Sequence, residues 1–161
     1  MDGTVPFGIV DLWRLLALHM DGATIRAIHP WILRDREARE EGRVSFADVT
    51  LPAARIVDRE IRVAGRTVRD TWTYTIAPPR EFTYEIRSPR GDTSTFTNTY
   101  VEEGTATRVL TDANIDFGRI PRFLQRRIGD RLLNRADDED LSYVQRFGFR
   151  TAGEAARPKG T

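Results

Sequence analysis

Thr67-Val68-Arg69-Asp70-Thr71-Trp72-Thr73-Tyr74-Thr75-Ile76 alternates, residue by residue, between a polar series and a mostly apolar one. Period two is the repeat of a strand, whose successive side chains face opposite sides of a sheet. One face of this strand carries Val68, Trp72, Tyr74 and Ile76, with Asp70 among them. The other carries Thr67, Arg69, Thr71, Thr73 and Thr75. Upstream, Arg55 to Val63 reads as a strand turning at Ala64-Gly65. Downstream, Pro78-Pro79 breaks the pattern and Phe82, Tyr84 and Ile86 resume it. Ser88 to Gly91 turns the chain again. Phe96 and Tyr100 then share a face opposite Thr95, Thr97 and Thr99. After a hairpin at Glu103-Gly104, the series Val109, Thr111, Ala113, Ile115 and Phe117 ends the run. Five or six consecutive strands joined by short hairpins predict a curved antiparallel sheet.

The flanks have the helical period. Val10, Trp13, Leu16, Ala17 and Met20 mark a first helix, and Ala23 to Ile28 a short second one that Pro30 stops at His29. After Gly118, the residues Ile120, Phe123, Leu124, Ile128, Leu132, Ala136, Val144 and Phe147 form an apolar stripe over roughly eight turns. A sheet with one apolar face must bury it, and this helix carries a matching stripe. The predicted class is therefore α+β: a curved antiparallel sheet wrapped around a long C-terminal helix, with two short helices before it. Residues 1–150 are expected to form one domain and residues 151–161 a flexible polar tail.

Composition narrows the classes of function. In 161 residues, 40% are apolar and 30% charged, which suits one folded domain. Net charge is +1, too balanced for a dedicated nucleic-acid binder. With no cysteine, disulfides, thiolate metal sites and cysteine nucleophiles are excluded. The basic residues include a single lysine, Lys159, so amine catalysis has one candidate, in the tail. The N-terminus has no signal-peptide pattern and no window is apolar enough to span a bilayer, which gives the expectation of a cytoplasmic protein without stable membrane insertion.

The order of elements resembles the START-related helix-grip superfamily (SRPBCC), which includes pollen-allergen-like and polyketide cyclase/dehydrase-like proteins. Pro6, Val10 and Trp13 look like its entry into the first helix, Ile28-His29-Pro30-Trp31-Ile32 like the stretch after the second, and Arg39 to Gly42 like the start of the next strand. The resemblance implies a seven-stranded sheet gripping the last helix around a hydrophobic cavity. It also implies a first strand before the first helix, in the middle of the sheet. Only Asp2 to Val5 are available for it, so either the true start lies upstream or the strand is a stub, and a weakened or gapped sheet is expected.

Polar residues on the inward parity are the informative ones, because buried polar groups require partners. Arg59, Asp70 and Asn98 meet this test and are candidates to orient a ligand in an apolar pocket. The bland alternative is an Arg59–Asp70 salt bridge completed by Asn98 or a tyrosine hydroxyl. Trp72, Tyr74, Tyr84, Phe96 and Tyr100 form an aromatic set that either lines a pocket or simply packs. His19 and His29, the two histidines, have no cysteine and no carboxylate at ligand spacing, so neither a metal nor another cofactor is expected. His29 is either a general acid/base or a capping or surface residue. Asp137, Asp138, Glu139 and Asp140 offer carboxylates for a cation, but adjacent helical residues point in different directions, so the run reads as a solvated helix face or a bend. Arg119, Arg122, Arg126 and Arg127 read as a solvated basic face.

Three functions follow as expectations. The first is binding or transport of a hydrophobic small molecule (lipid, isoprenoid or polyketide-like aromatic) by Arg59, Asp70, Trp72, Tyr74, Tyr84, Phe96, Asn98 and Tyr100. The second is a polyketide cyclase/dehydratase-like or hydrolase enzyme using Asp70 or His29 as acid/base, since relatives of this kind do both things. The third is an interaction module with a filled core. The expected partner is a small molecule and no nucleic acid, and the expected state is a monomer or weak dimer.

Overall fold

Alternation over residues 67–76 becomes part of one long strand, Arg66–Ala77, in which Asp70, Trp72, Tyr74 and Ile76 are buried. The computed structural model describes residues 2–118 and 120–157. In chain order the elements are β1 (Asp2–Val5), α1 (Ile9–His19), α2 (Gly22–Ile28), β2 (Ile32–Glu41), β3 (Val44–Phe46), β4 (Val49–Leu51) and β5 (Ala54–Val63). There follow β6 (Arg66–Ala77), β7 (Glu81–Arg87), β8 (Thr93–Glu103), β9 (Ala106–Asn114), α3 (Arg122–Phe147) and α4 (Ala152–Ala155). Seven strands form one antiparallel sheet in the order β1-β9-β8-β7-β6-β5-β2, and β3 pairs with β4 in a separate hairpin. The expected α+β class, with its curved sheet, long C-terminal helix and two short N-terminal helices, is what the structure has.

Register carries the inward face across the strands. Arg55, Tyr74, Tyr84 and Phe96 form one cross-strand row, and Ile76, Phe82, Asn98 and Thr111 another. Ala64 and Gly65 both have positive φ, 49° and 75°, the pairing that matches a two-residue hairpin to the twist of its strands. At the other end of the core, α1 buries Ile9, Leu12, Trp13, Leu15, Leu16 and Leu18. The indole of Trp13 donates to the Pro79 carbonyl at 3.1 Å and meets Tyr100 edge-on.

Four expectations need correction. The first strand is a four-residue stub as anticipated, but it lies at the sheet edge, pairing with β9 from Asp2↔Leu110 to Val5↔Thr107. An edge strand can be short without opening a gap, so the sheet is continuous. Second, β2 starts at Ile32, well before Arg39, and Arg39 to Glu41 are its end. A bulge with Glu37 at φ 51° separates the two halves. Third, β9 stops at Asn114, leaving Ile115 and Phe117 outside the sheet. Fourth, the apolar stripe of α3 is not uniformly buried. Phe123 is 75% exposed and Leu124 39%, whereas Gln125, Gly129 and Tyr143 are buried. A Cβ on Gly129 would stand 2.9 Å from Ile115 Cδ1, so the helix backbone itself comes close at this point.

Beyond Gly148, Thr151 caps α4 in a reciprocal capping box with Glu154. The Ala152 N–H donates to Thr24 Oγ1 at 2.9 Å. Residues 158–161 of the expected tail, with Lys159, lie outside the described residues, as does Arg119. Arg122, Arg126 and Arg127 are exposed.

Candidate functional site

Aromatic rings from three neighbouring strands stack across the inner face of the sheet. Tyr84 lies parallel to Phe96, 4.7 Å between ring centroids, and to Trp72 at 6.0 Å; Tyr74 stacks on Phe82 at 5.7 Å. Cross-strand pairing at a spacing of about 5 Å makes such a ladder possible. Burial raises the Tyr84 and Tyr100 hydroxyls well above the usual range, as do the charges of nearby acidic groups on α3. The Trp72 indole N–H is buried without a hydrogen-bond partner among the described residues.

Arg59, fully buried, sits beside this ladder. Its guanidinium lies 4.9 Å from the Trp72 ring centroid and donates to the Tyr74 hydroxyl. Its ion-pair partner is Asp35 on β2, bound in a fork with Nε–Oδ1 at 2.8 Å and Nη2–Oδ2 at 2.9 Å. The expected bridge to Asp70 is therefore replaced by one to Asp35. Asp70 is opposite Arg59 in register, but β2 supplies a carboxylate in the fork geometry that guanidinium prefers. A tyrosine hydroxyl does complete the network. Asp70 is buried, and burial raises its pKa. Asn98 is also on the inner face, its Oδ1 accepting from Thr111 Oγ1 at 2.7 Å. The structure thus joins Arg59, Trp72, Tyr74, Tyr84 and Phe96 in one contact group, bordered by Tyr100. It places Asp70 and Asn98 on the same face but in other hydrogen-bonding surroundings.

Above the sheet, the acidic run is a solvated face only in part: Asp137 and Asp138 are exposed. α3 passes through it without a break, and Glu139 and Asp140 turn toward the two histidines. Asp137 is exposed in area, yet its charge acts on the Tyr84 and Tyr100 hydroxyls, so its carboxyl stands near the aromatic face while solvent still reaches it. Burial, then the charges of Asp140 and Asp138, push its pKa up to about 6.

His29 occupies the C-cap of α2, as a capping histidine would, but it is 4% exposed rather than a surface residue. His29 Nδ1 lies 2.8 Å from Glu139 Oε2, which also accepts from Trp31 Nε1 at 2.8 Å, while Arg135 holds the other oxygen at 2.8 Å. These bonds outweigh burial and hold the Glu139 carboxyl below its usual range. Burial, then the positive charge of His19, lowers the His29 pKa. For His19, burial is outweighed by Asp140 and the Leu15 carbonyl, so its pKa is raised. The Arg59 charge also reaches His19, which links the two halves of the site.

The sequence singles out Glu139 and Asp140 only as members of an acidic run, and Asp35 not at all. One signal was legible for Asp140: Leu132, Ala136, Asp140 and Val144 are spaced four apart, so a carboxylate interrupts an apolar row. For Asp35, in a run of alternating charges, no such signal existed.

No family model matches the sequence, and no curated protein matches it. Solved structures do. Ara h 8.0201 aligns with a TM-score of 0.60 at 12% identity, covering 90% of this chain and 95% of that one. The Zhui aromatase/cyclase from a Streptomyces species aligns at 0.52 and 16% identity, over 98% of this chain and 92% of that one. The di-domain aromatase/cyclase StfQ of the steffimycin biosynthetic pathway aligns at 0.60 and 13% identity, over 92% of this chain and 50% of that one. These likenesses define the fold as a helix-grip fold.

Proposed function

We propose that the protein binds a hydrophobic ring compound carrying a hydrogen-bond acceptor, held between the inner face of the sheet and α3. The observation that carries this reading is the stacked ladder of Trp72, Tyr84 and Phe96, with an indole N–H in it that has no partner among the described residues. Flat rings stack on such a surface, and an N–H without an acceptor favours a ligand that brings one. Apolar burial supplies the affinity and Arg59, with the tyrosines, the orientation. Structural neighbours named as aromatase/cyclases support this reading. Lipids and isoprenoids lack the flat face that this ladder would recognise.

A second reading is acid/base chemistry on such a ligand, which three groups favour. Asp137, with a pKa near 6, is suited to proton transfer near neutrality, and Asp70 and His29 are buried titratable groups.

Mass spectrometry on freshly purified protein, native and then solvent-extracted, tests the first reading. It is followed by titration with a hydroxyanthraquinone and with a medium-chain fatty acid, read by tryptophan fluorescence. The expected result is saturable one-site binding of the anthraquinone, weakened at least tenfold in Tyr84→Ala and Phe96→Ala, with little response to the fatty acid. No adduct and no saturable binding would overturn it. Turnover of a bound polyketone, lost in Asp137→Asn with binding retained, would establish the second reading.

A further inference from the structure

The two imidazoles and Asp140 meet at a single point. His19 Nε2 is 3.0 Å from His29 Nε2 and 3.0 Å from Asp140 Oδ1, and His29 Nε2 is 3.4 Å from the same oxygen. We propose that His19, His29 and Asp140 form a binding site for a divalent first-row transition metal, zinc being the ion that suits their donor set.

Hydrogen bonds on the far side of each ring carry the argument. His19 Nδ1 lies 2.9 Å from the Leu15 carbonyl, which can only accept, so Nδ1 carries the proton. His29 Nδ1 faces the Glu139 carboxylate, which also only accepts, so its proton is on Nδ1 too. In the neutral form of both rings, each Nε2 therefore presents a lone pair, and both converge with a carboxylate oxygen. Three acceptors gathered in one space require a shared proton or a metal ion among them. Asp140 Oδ1 makes the same demand: it is buried and, among the described residues, has no hydrogen bond of normal geometry.

The spacing suits a metal. Ligands about 2.0–2.1 Å from a tetrahedral zinc stand about 3.3 Å from one another, close to the 3.0–3.4 Å found here. Two nitrogens, one oxygen and no sulfur is a borderline-hard set that zinc accepts. The rings are also oriented as metal-bound histidines are, each by an acceptor on the opposite nitrogen. Glu139, the acceptor for His29, is fixed in turn by Trp31 and Arg135. Three protein ligands leave a fourth position for water or a ligand oxygen, the arrangement of open rather than structural zinc sites. The same atoms, left without metal, would share a single proton, and that is the occupant the experiment must separate.

Chelator-stripped full-length protein is titrated with zinc in competition with a chromophoric chelator, and in parallel with cobalt, read by its visible absorption. The expected results are one zinc per chain with sub-micromolar affinity, and an intense cobalt spectrum of low coordination number. Asp140→Asn and His29→Gln abolish both, and Glu139→Gln, a positioning change, weakens binding by about 10–100-fold. Failure of the folded wild-type protein to take up stoichiometric zinc, or uptake unchanged in Asp140→Asn and His29→Gln, overturns the proposal. Should those variants not fold, the wild-type cobalt spectrum decides: a weak, octahedral spectrum refutes the site.

Discussion

Arg59 and Asp137 are charged groups whose fields reach the aromatic face, one buried and one exposed, and they are handled in opposite ways. Arg59 is paired in a fork with Asp35, bonded to Tyr74 and stacked near Trp72, so its charge is answered on every side. Removing one member of such a pair typically costs about 3–5 kcal/mol, because the survivor is left buried alone. Asp137 forms no ion pair among the described residues; burial and two neighbouring carboxylates oppose its ionisation. Its folded pKa near 6 lies above its ordinary value of 3.8, so the folded state holds the proton more tightly than the unfolded state. The stability this contributes is complete below pH about 4 and is lost as pH rises through about 6. Asp137→Asn removes that loss. Urea midpoints of the two proteins are expected to coincide near pH 4 and to diverge up to pH 7, the variant becoming the more stable. Parallel curves across that range would show that Asp137 is simply solvated.

At the scale of elements, α3 departs most from its sequence pattern. A stripe read by spacing alone assumes that each apolar residue has a surface to meet, yet the N-terminal turn of α3 projects Phe123 into solvent. Phe123→Ser is therefore expected to change stability by less than about 0.5 kcal/mol in chemical denaturation, as exposed sites do. A packed phenylalanine would cost about 3–5 kcal/mol, and a loss of that size would place Phe123 against the core after all. The close approach is at Gly129, where the obstacle is the flexible end of Ile115. The strands were far more legible than this helix. Alternation in β6, β7 and β8 is local and survives any sheet curvature, so Trp72, Tyr74, Tyr84, Phe96 and Tyr100 could be assigned to one face correctly. The partners of the polar residues were not legible, because each comes from a distant element: Asp35 for Arg59, and Asp140 for a histidine more than a hundred residues away.

For the whole molecule, the question raised by an open sheet is what protects its two edges. β1 offers four residues, with Arg108 of β9 bound to Asp2 at its outer end by a charged pair. β2 is ten residues long, and its exposed residues include Arg34, Arg36, Glu37, Arg39, Glu40 and Glu41, in mixed sign. A bulge between Arg36 and Arg39 twists that edge away from the flat geometry that strand addition needs. Short strands, charges and bulges are the devices that keep sheet edges from pairing with another chain. Edge-to-edge association is thus disfavoured at both ends, and the exposed Phe123 and Leu124 lie in neither of the edge strands. The expected state is a monomer. Sedimentation equilibrium at protein concentrations of about 100 µM should give the mass of one chain in both low and high salt. A dimer that survives high salt and is abolished by Phe123→Ser would locate association on α3 instead, and one insensitive to that change would mean that the edge devices fail.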